Sequence, residues 1–161
     1  MEEPTRQVKA DLVPYTSEYA GIVRSWMETE ETYKLVCRGT NYPPPDDIVD
    51  SWQRQGVTSY LMISGRKPVA YGELWDRKAE QAIEIAHVIV ETYKRSQGIG
   101  TKLLELLYNR ATQRPGITRV LVNLYNDSTE VLGCCLKAGF EIQGTATHVE
   151  GLKLAREVDP R

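Results

Sequence analysis

A glycine-containing turn is the part of this sequence best suited to bind an anion. Residues 94–102 read Lys-Arg-Ser-Gln-Gly-Ile-Gly-Thr-Lys, between a β-rich run and a helical segment with an apolar stripe. Backbone amides at the start of a helix attract anions. Gly98 and Gly100 remove side chains where a phosphate would approach the main chain, and the flanking cations add positive charge. The pattern indicates a phosphate site, and the alternative is a tight strand-to-helix turn without a ligand.

Two better-known phosphate motifs do not match this turn. A Walker A loop needs Gly-Lys followed by Ser or Thr, whereas Gly100 is followed by Thr101 and Lys102. A dinucleotide-binding fingerprint needs a third glycine at position 103, which Leu103 occupies. The sequence therefore disfavours P-loop and dinucleotide-binding proteins.

Two glutamates on predicted strands are candidates for removing a proton from a substrate. Glu84 lies within the apolar run 83–90, where burial would raise the pKa of its carboxyl group toward values useful for a general base. The alternative is that Glu84 has no catalytic role and is a charged residue on the solvent-facing side of a half-buried strand. Glu73, on a neighbouring predicted strand, is the rival base. Strand alternation places His87 on the opposite face from Glu84 unless a β-bulge intervenes, and we interpret it as a core histidine.

The elements that must position these residues follow an order typical of a mixed α+β fold. Apolar periodicity predicts strands at residues 8–15, 58–64, 69–75, 83–90, 120–124, 140–147 and 152–158. It predicts helices after residue 16 and over about 30–37, 99–111 and 127–139. Hairpins interleaved with crossovers favour a central mixed, mostly antiparallel sheet flanked by helices.

Composition limits the classes of protein that remain. A length of 161 residues favours one domain, and 41% hydrophobic with 26% charged residues is ordinary for a globular protein. A net charge of -2 gives no global positive field for nucleic acid. No apolar run is long enough for a membrane span, and the acidic start is unlike a signal peptide. We therefore expect a cytoplasmic protein that binds neither nucleic acid nor a membrane. The cysteine and histidine spacings predict neither a disulfide framework nor a metal site.

The glycine turn resembles the pyrophosphate-binding motif of the GCN5-related N-acetyltransferases. The motif reads Arg95-x-x-Gly98-x-Gly100 here, and the resemblance extends over about residues 58–145, including the Gly-Phe pair at 139–140. It implies a single domain of that fold, with residues 58–145 as the acetyl-CoA-binding core. Residues 1–57 would then hold the acceptor-side elements, and residues 146–161 would hold a closing strand.

The resemblance also implies roles for individual residues. Val88, Ile89 and Val90 correspond to the strand that presents main-chain groups to the acyl and pantetheine part of acetyl-CoA. The other residues implied in acetyl-CoA binding are Arg95, Ser96, Gln97, Gly98, Ile99, Gly100, Thr101 and Asn126. Glu84 stands where some members place a general base, and Cys135 where many have a tyrosine as general acid. Cys135 is therefore either a weak proton donor or a small core residue.

The predicted function is N-acetyl transfer from acetyl-CoA to a primary amine, by direct attack in a ternary complex. Acidic residues outnumber basic ones in residues 1–50, which favours a small cationic acceptor with Asp46, Asp47 and Asp50 at its rim. A protein N-terminus or lysine is the alternative acceptor, and a CoA-binding module without turnover is the alternative class. Trp26 and Trp52 are interpreted as core residues. The sequence leaves a homodimer open.

Overall fold

A seven-stranded sheet forms the centre of the structure, a computed structural model that describes residues 10–37, 41–91, 98–124, 129–145 and 151–158. The strands are β1 (Asp11–Pro14), β2 (Val57–Ser64), β3 (Lys67–Arg77), β4 (Ala82–Val90), β5 (Arg119–Leu124), β6 (Glu141–Thr145) and β7 (Leu152–Glu157). The α-helices are α1 (Ala20–Ser25), α2 (Glu30–Val36), α3 (Ile48–Ser51), α4 (Ile99–Ala111) and α5 (Thr129–Lys137).

The strand order in the sheet is β1-β2-β3-β4-β5-β7-β6. Neighbouring strands are antiparallel except β4 and β5, which are parallel because α4 forms the crossover between them. The predicted α+β class with a mixed, mostly antiparallel sheet is confirmed.

Strand alternation divides the apolar side chains between two layers of core. On one face, side chains such as Met62 and Leu74 pack with the apolar stripe of α4, whose Leu103 and Leu107 are fully buried. On the opposite face, alternate residues of the same strands pack against α1, α2 and α3 and against the short segment that follows each helix. This second layer includes Val23, Trp26, Trp52, Leu61, Tyr71 and Ile89. The second layer is the one that surrounds the candidate active site described below.

The first 50 residues depart most from the predicted elements. The helix expected after residue 16 begins with a 3-10 turn at Ser17–Tyr19, and α1 proper starts at Ala20. Ile22, an apolar residue of α1, is 42% exposed. The strand expected over 8–15 is observed at Asp11–Pro14, and residues 8 and 9 lie outside the described residues.

Two kinds of feature are absent from the described part of the chain. None of its helices is long and apolar enough to cross a membrane. In the same residues, the histidine, cysteine, aspartate and glutamate side chains form no group of three or more that could hold a metal ion.

Gly72 is required for the close approach of α4 to the sheet. A Cβ atom at this position would lie 2.7 Å from Cδ1 of Leu107, a side chain with no room to retreat because it is fully buried. We therefore expect Gly72→Ala to lower the free energy of unfolding by roughly 1 to 3 kcal/mol, as overpacked cores do. Urea unfolding measures the change.

Gly21→Ala is the matched control, because Gly21 lies in α1 with nothing within 4 Å of the added atom. Alanine favours helix over glycine by up to about 1 kcal/mol, so this variant should be as stable as the wild type or more stable. Equal stability of Gly72→Ala and the wild type would contradict the packing argument.

Candidate active site

Strands β4 and β5 separate half-way along β4 and leave part of its edge facing a gap. Their parallel pairing runs from Ala82 with Arg119 to Ile85 with Val122. Beyond this point β4 continues to Val90, whereas the rest of β5 pairs with β7. The main chain of Val88, Ile89 and Val90, which the sequence implicated in acetyl-CoA binding, lies along this gap.

The start of α4 lies beside the same end of β4. Gly98 adopts a left-handed conformation, with φ of 80°, and no side chain of the described residues caps the helix. A Cβ atom on Gly100 would lie 3.2 Å from Sγ of Cys134 and 3.9 Å from Cγ2 of Val90, so glycine lets α5 and β4 close around the helix start. The uncapped amides and the missing side chains fit an anionic group such as a pyrophosphate.

Glu84 is almost fully buried, and an arginine satisfies its charge. Its Oε1 accepts hydrogen bonds from Nε of Arg77 at 3.0 Å and from an Nη atom of the same guanidinium at 2.8 Å. The Arg77 side chain is partly exposed and also lies over the ring of Trp75, 5.4 Å from its centroid. The carboxylate is thus held in an ion pair at the edge of the second core layer.

Glu73 is fully buried, and three side chains converge on its carboxylate. Oε1 accepts a hydrogen bond from Nε1 of Trp75 at 2.7 Å and lies 2.9 Å from Nδ1 of His87. Oε2 accepts a hydrogen bond from the hydroxyl of Tyr71. Burial, followed by the charge of Glu73, raises the pKa of Tyr71 well above its ordinary value, so this hydroxyl keeps its proton and remains a donor. We call these four residues the Glu73 cluster.

A β-bulge brings His87 into this cluster. Tyr71 pairs with Ile89, but Glu73 pairs with Ala86, so β4 has two residues opposite the single Gly72 of β3. His87, the first residue of the bulge, has a φ of 48°, which is uncommon for a residue other than glycine. The bulge intervenes as the alternation argument allowed, and His87 lies on the Glu73 face of the sheet.

The aromatic rings of the second core layer fix the His87 imidazole. Trp52 stacks on it with ring centroids 4.1 Å apart, and Trp75 meets it edge-on at 5.4 Å. The imidazole nevertheless keeps 17% of its side-chain surface exposed, whereas Glu73 keeps none. His87, like the partly exposed Trp75, therefore reaches from the buried carboxylate toward the surface.

A chain of polar contacts extends the cluster toward α3. Nε2 of Gln53 donates to the Tyr71 hydroxyl at 2.9 Å and to the carbonyl of Val49 at 3.0 Å. Oε1 of Gln53 accepts from the hydroxyl of Ser59 at 2.7 Å. These contacts fix the position of the Tyr71 hydroxyl beside the Glu73 carboxylate.

Comparison with known families decides the classification. The model of the acetyltransferase (GNAT) family matches residues 21–140. The chain belongs to this family. Residues 21–140 include β2 to β5, α4 and α5, so the match covers both the gap beside β4 and the Glu73 cluster.

Individual members of the GNAT family share the fold at low sequence identity. Aminoglycoside N(6')-acetyltransferase type 1 of Klebsiella pneumoniae is 24% identical over 109 residues, which cover 61% of this chain and 54% of that protein. The chain thus spans about half the length of this relative. The structure of aminoglycoside acetyltransferase AAC(6')-Ib in complex with coenzyme A superposes with a TM-score of 0.78 at 17% identity, covering 92% of this chain and 95% of the other.

A third comparison involves a different acceptor. Spermidine N-acetyltransferase from Vibrio cholerae, in complex with CoA and spermine, superposes with a TM-score of 0.75 at 7% identity over 92% of this chain and 95% of the other. Both superpositions establish that this chain has the GNAT fold.

The GNAT resemblance implied site residues that the structure describes only in part. Gly98, Ile99, Gly100 and Thr101 form the start of α4 as expected. Arg95, Ser96, Gln97 and Asn126 lie outside the described residues. Their roles stay predictions.

Cys135, the residue in the place of the family's tyrosine, is fully buried in the core layer of α4 and α5. Burial, with a smaller contribution from Cys134, raises the pKa of its thiol to about 12. This environment is that of a small apolar core residue. A thiol held in that way is poorly suited to exchange a proton with a substrate.

The acidic residues proposed as an acceptor rim have different surroundings. Asp50 accepts a hydrogen bond from the hydroxyl of Tyr15 at 2.7 Å, which ties α3 to the end of β1. Asp46 is fully exposed, 3.6 Å from the guanidinium of Arg24, and Asp47 is exposed as well. Of the three, Asp46 and Asp47 are the ones accessible to a ligand.

Sequence reasoning missed the contribution of the aromatic residues to the site. Trp52 and Trp75 contact His87 directly, and the Tyr71 hydroxyl contacts Glu73. A signal was present, because Tyr71, Glu73 and Trp75 alternate along one predicted strand and must share a face. Trp26 is a core residue, as interpreted from the sequence.

The three cysteines should differ in reactivity. Burial and then the charge of Glu73 raise the pKa of Cys37 to about 12, the same value as that of Cys135. The thiolate is the nucleophile, so both thiols stay protonated and unreactive at pH 8. We expect iodoacetamide to label the partly exposed Cys134 first. Fragment-ion mass spectrometry distinguishes the adjacent sites, and denatured protein, in which all three react, is the control. Labelling of native Cys135 as fast as Cys134 would contradict its assignment to the core.

Proposed function

We propose that this chain transfers an acetyl group from acetyl-CoA to a primary amine of a small cationic molecule, by direct attack in a ternary complex. The observation that carries the proposal is the position of His87 and Val88. They are consecutive residues, one in the Glu73 cluster and the other on the gap between β4 and β5. An amine at the cluster and an acyl group along the gap would therefore be neighbours.

The chain's own groups fit acetyl-CoA on the gap side. The edge of β4 offers main-chain donors and acceptors for the pantetheine amides. The uncapped start of α4 offers amides for the pyrophosphate, and Arg95 adds a cation in the sequence. Main-chain donors near Val88 and Ile89 suit the negative charge that develops on the carbonyl oxygen during attack.

Proton removal is the task for which the cluster is suited. An aliphatic amine has a pKa of ~10.4 and is protonated at neutral pH, so a base must act before its nitrogen can attack. The Glu84 carboxylate is held by Arg77, whereas the Glu73 carboxylate is linked to a partly exposed imidazole. We therefore assign the carboxylate required for proton removal to Glu73, and the structural charge to Glu84.

The class of acceptor is proposed from charge and from the relatives. Asp46 and Asp47 are exposed on the segment that leads through α3 to Trp52, which stacks on His87. Related proteins are named for aminoglycoside and spermidine acetylation, and both classes of substrate are polycationic. Peptide N-termini and lysines belong in the same assay panel as the competing acceptors.

The sequence leaves open whether the chain forms a homodimer. Analytical ultracentrifugation measures its oligomeric state.

Thermal melts and turnover together test the proposed function. At ~100 times the dissociation constant, acetyl-CoA should add ~2.7 kcal/mol to the stability of the folded state. Release of the CoA thiol, followed over a panel of amines, should require both substrates. Gly98→Asp should abolish the thermal shift because it places a carboxylate at the start of α4.

Gly116→Asp is the matched control for that variant. Its glycine also has a positive φ, at 82°, with nothing within 4 Å, but it follows the other end of α4. It should keep the acetyl-CoA shift. A missing shift in the wild type would contradict the proposed function, and a shift without turnover on any amine would favour a CoA-binding module.

Replacing each glutamate with glutamine separates their roles. General-base catalysis is worth ~10²- to 10⁴-fold. Glu73→Gln should lower kcat at pH 7 within this range, with acetyl-CoA binding retained. Glu84→Gln should lower kcat much less, because its carboxylate is held by Arg77. The reverse ranking would assign the base to Glu84, as the sequence suggested.

A further inference from the structure

We infer that His87 is the group that takes the proton from the acceptor amine, and that Glu73 is a positioning residue acting through it. The inference rests on the proposed acetyl transfer and deepens it. Glu73 is fully buried, and its two carboxylate oxygens are already in contact with Tyr71, Trp75 and His87. A carboxylate in that position needs an intermediary.

The hydrogen bonding of the cluster fixes the proton on the imidazole. An ionised carboxylate only accepts hydrogen bonds, so Nδ1 of His87 carries the hydrogen that points at Oε1 of Glu73. Nε2 of the neutral ring then has a free lone pair. No side chain or main-chain group of the described residues bonds to Nε2. Its lone pair is available to a substrate.

The bulge in β4 is the feature that makes this geometry. Regular alternation after Ala86 would direct residue 87 to the α4 face, away from Glu73. The left-handed φ of 48° turns the side chain back onto the Glu73 face. Such a conformation is strained in a residue other than glycine, and such residues cluster at functional sites. At this position the left-handed conformation directs the imidazole toward Glu73.

One charged group and one aromatic face contact the His87 ring directly. The charge of Glu73 faces Nδ1, and Trp52 stacks on the ring with an interplanar angle of 28°, which suits a cation–π contact. The cations nearest to the cluster contact Trp75: the guanidinium groups of Arg54 and Arg77 lie over its ring, 4.9 and 5.4 Å from the centroid.

Two further titratable groups near Glu73 are neutral. Burial keeps the Tyr71 hydroxyl and the Cys37 thiol protonated, because it raises the pKa of each above its ordinary value. The imidazolium that forms on proton transfer thus contacts the charge of Glu73 directly, whereas the other buried carboxylate on this face, Glu84, is paired with Arg77.

The proton balance closes with the groups already named. The acceptor ammonium loses two protons in becoming an amide. Nε2 of His87 takes the first, which frees the nitrogen lone pair to attack the acetyl carbon, and later releases it to solvent. The thiolate that leaves as the C–S bond breaks takes the second and becomes the CoA thiol.

His87→Asn is the sharpest variant for testing this assignment. Asparagine tolerates the left-handed region, and its side-chain amide can donate to Glu73 in place of Nδ1, but it has no group equivalent to Nε2. We expect kcat at pH 7 to fall about 100-fold or more. The thermal shift with acetyl-CoA should be unchanged. The loss should shrink as pH rises, because the amine then loses its proton without help.

Gln81→Asn is the matched control. Gln81 also has a positive φ, at 53°, but its side chain is exposed at the start of β4, outside the cluster. It should keep wild-type kcat and pH dependence. If His87→Asn binds acetyl-CoA and keeps kcat within threefold of the wild type, the assignment is overturned.

The pH profile distinguishes a positioning role of Glu73 from a structural one. Glu73→Gln removes the carboxylate that faces Nδ1 of His87 and keeps the size of the side chain. If Glu73 acts through the imidazole, the acid limb of the kcat/KM profile should shift in Glu73→Gln, and His87→Asn should lack that limb. An acid limb that stays in place in both folded variants would overturn the inference. A wild type without turnover on any amine would instead overturn the proposed function itself.

Discussion

The buried charge of Glu73 is the constraint on which the second core layer depends. An unpaired carboxylate in a protein interior costs many kcal/mol, so the surrounding chain must supply donors or the group loses its charge. Three elements answer this requirement. Strand β3 contributes Tyr71 and Trp75 from alternate positions, β4 contributes His87 through a bulge, and the segment after α3 contributes Gln53, which holds the Tyr71 hydroxyl. The packing of α1, α2 and α3 onto the sheet thus completes a polar network as well as an apolar core.

Strand β4 has two different tasks because its two halves have different neighbours. Up to Ile85 it is an interior strand, paired with β3 on one side and β5 on the other. Beyond this residue it retains β3 alone, and the bulge falls within that half. A bulge costs less in a strand that has one ladder to preserve than in a strand that has two. The departure of β5 that opens the gap therefore also permits the distortion that aims His87. One change in the sheet accounts for both halves of the site.

Sequence reasoning predicted the regular elements well, because their signals are local. The run of β-branched residues at 83–90 and the apolar stripe of α4 each fit one period, and both elements lie where that period places them. The bulge could be named as an exception but not located, since it is decided by the pairing partner and by the backbone of His87. The arginine that holds Glu84 is seven residues away in sequence, and no period indicates that contact. The pattern at Tyr71, Glu73 and Trp75 was readable as a shared face, but the sequence alone did not show what that face would meet.

The contrast between the two glutamates shows why burial alone is a weak guide to catalysis. Both carboxylates lie on the same face of the sheet, and both are almost inaccessible to solvent. Glu84 has a guanidinium as its partner, which stays charged at every pH in the working range and so neutralises the carboxylate without exchanging a proton. Glu73 has an imidazole, which is the one ordinary side chain that can gain and lose a proton near neutrality. The identity of the partner, and not the depth of the carboxylate, determines which of the two buried charges can take part in proton transfer.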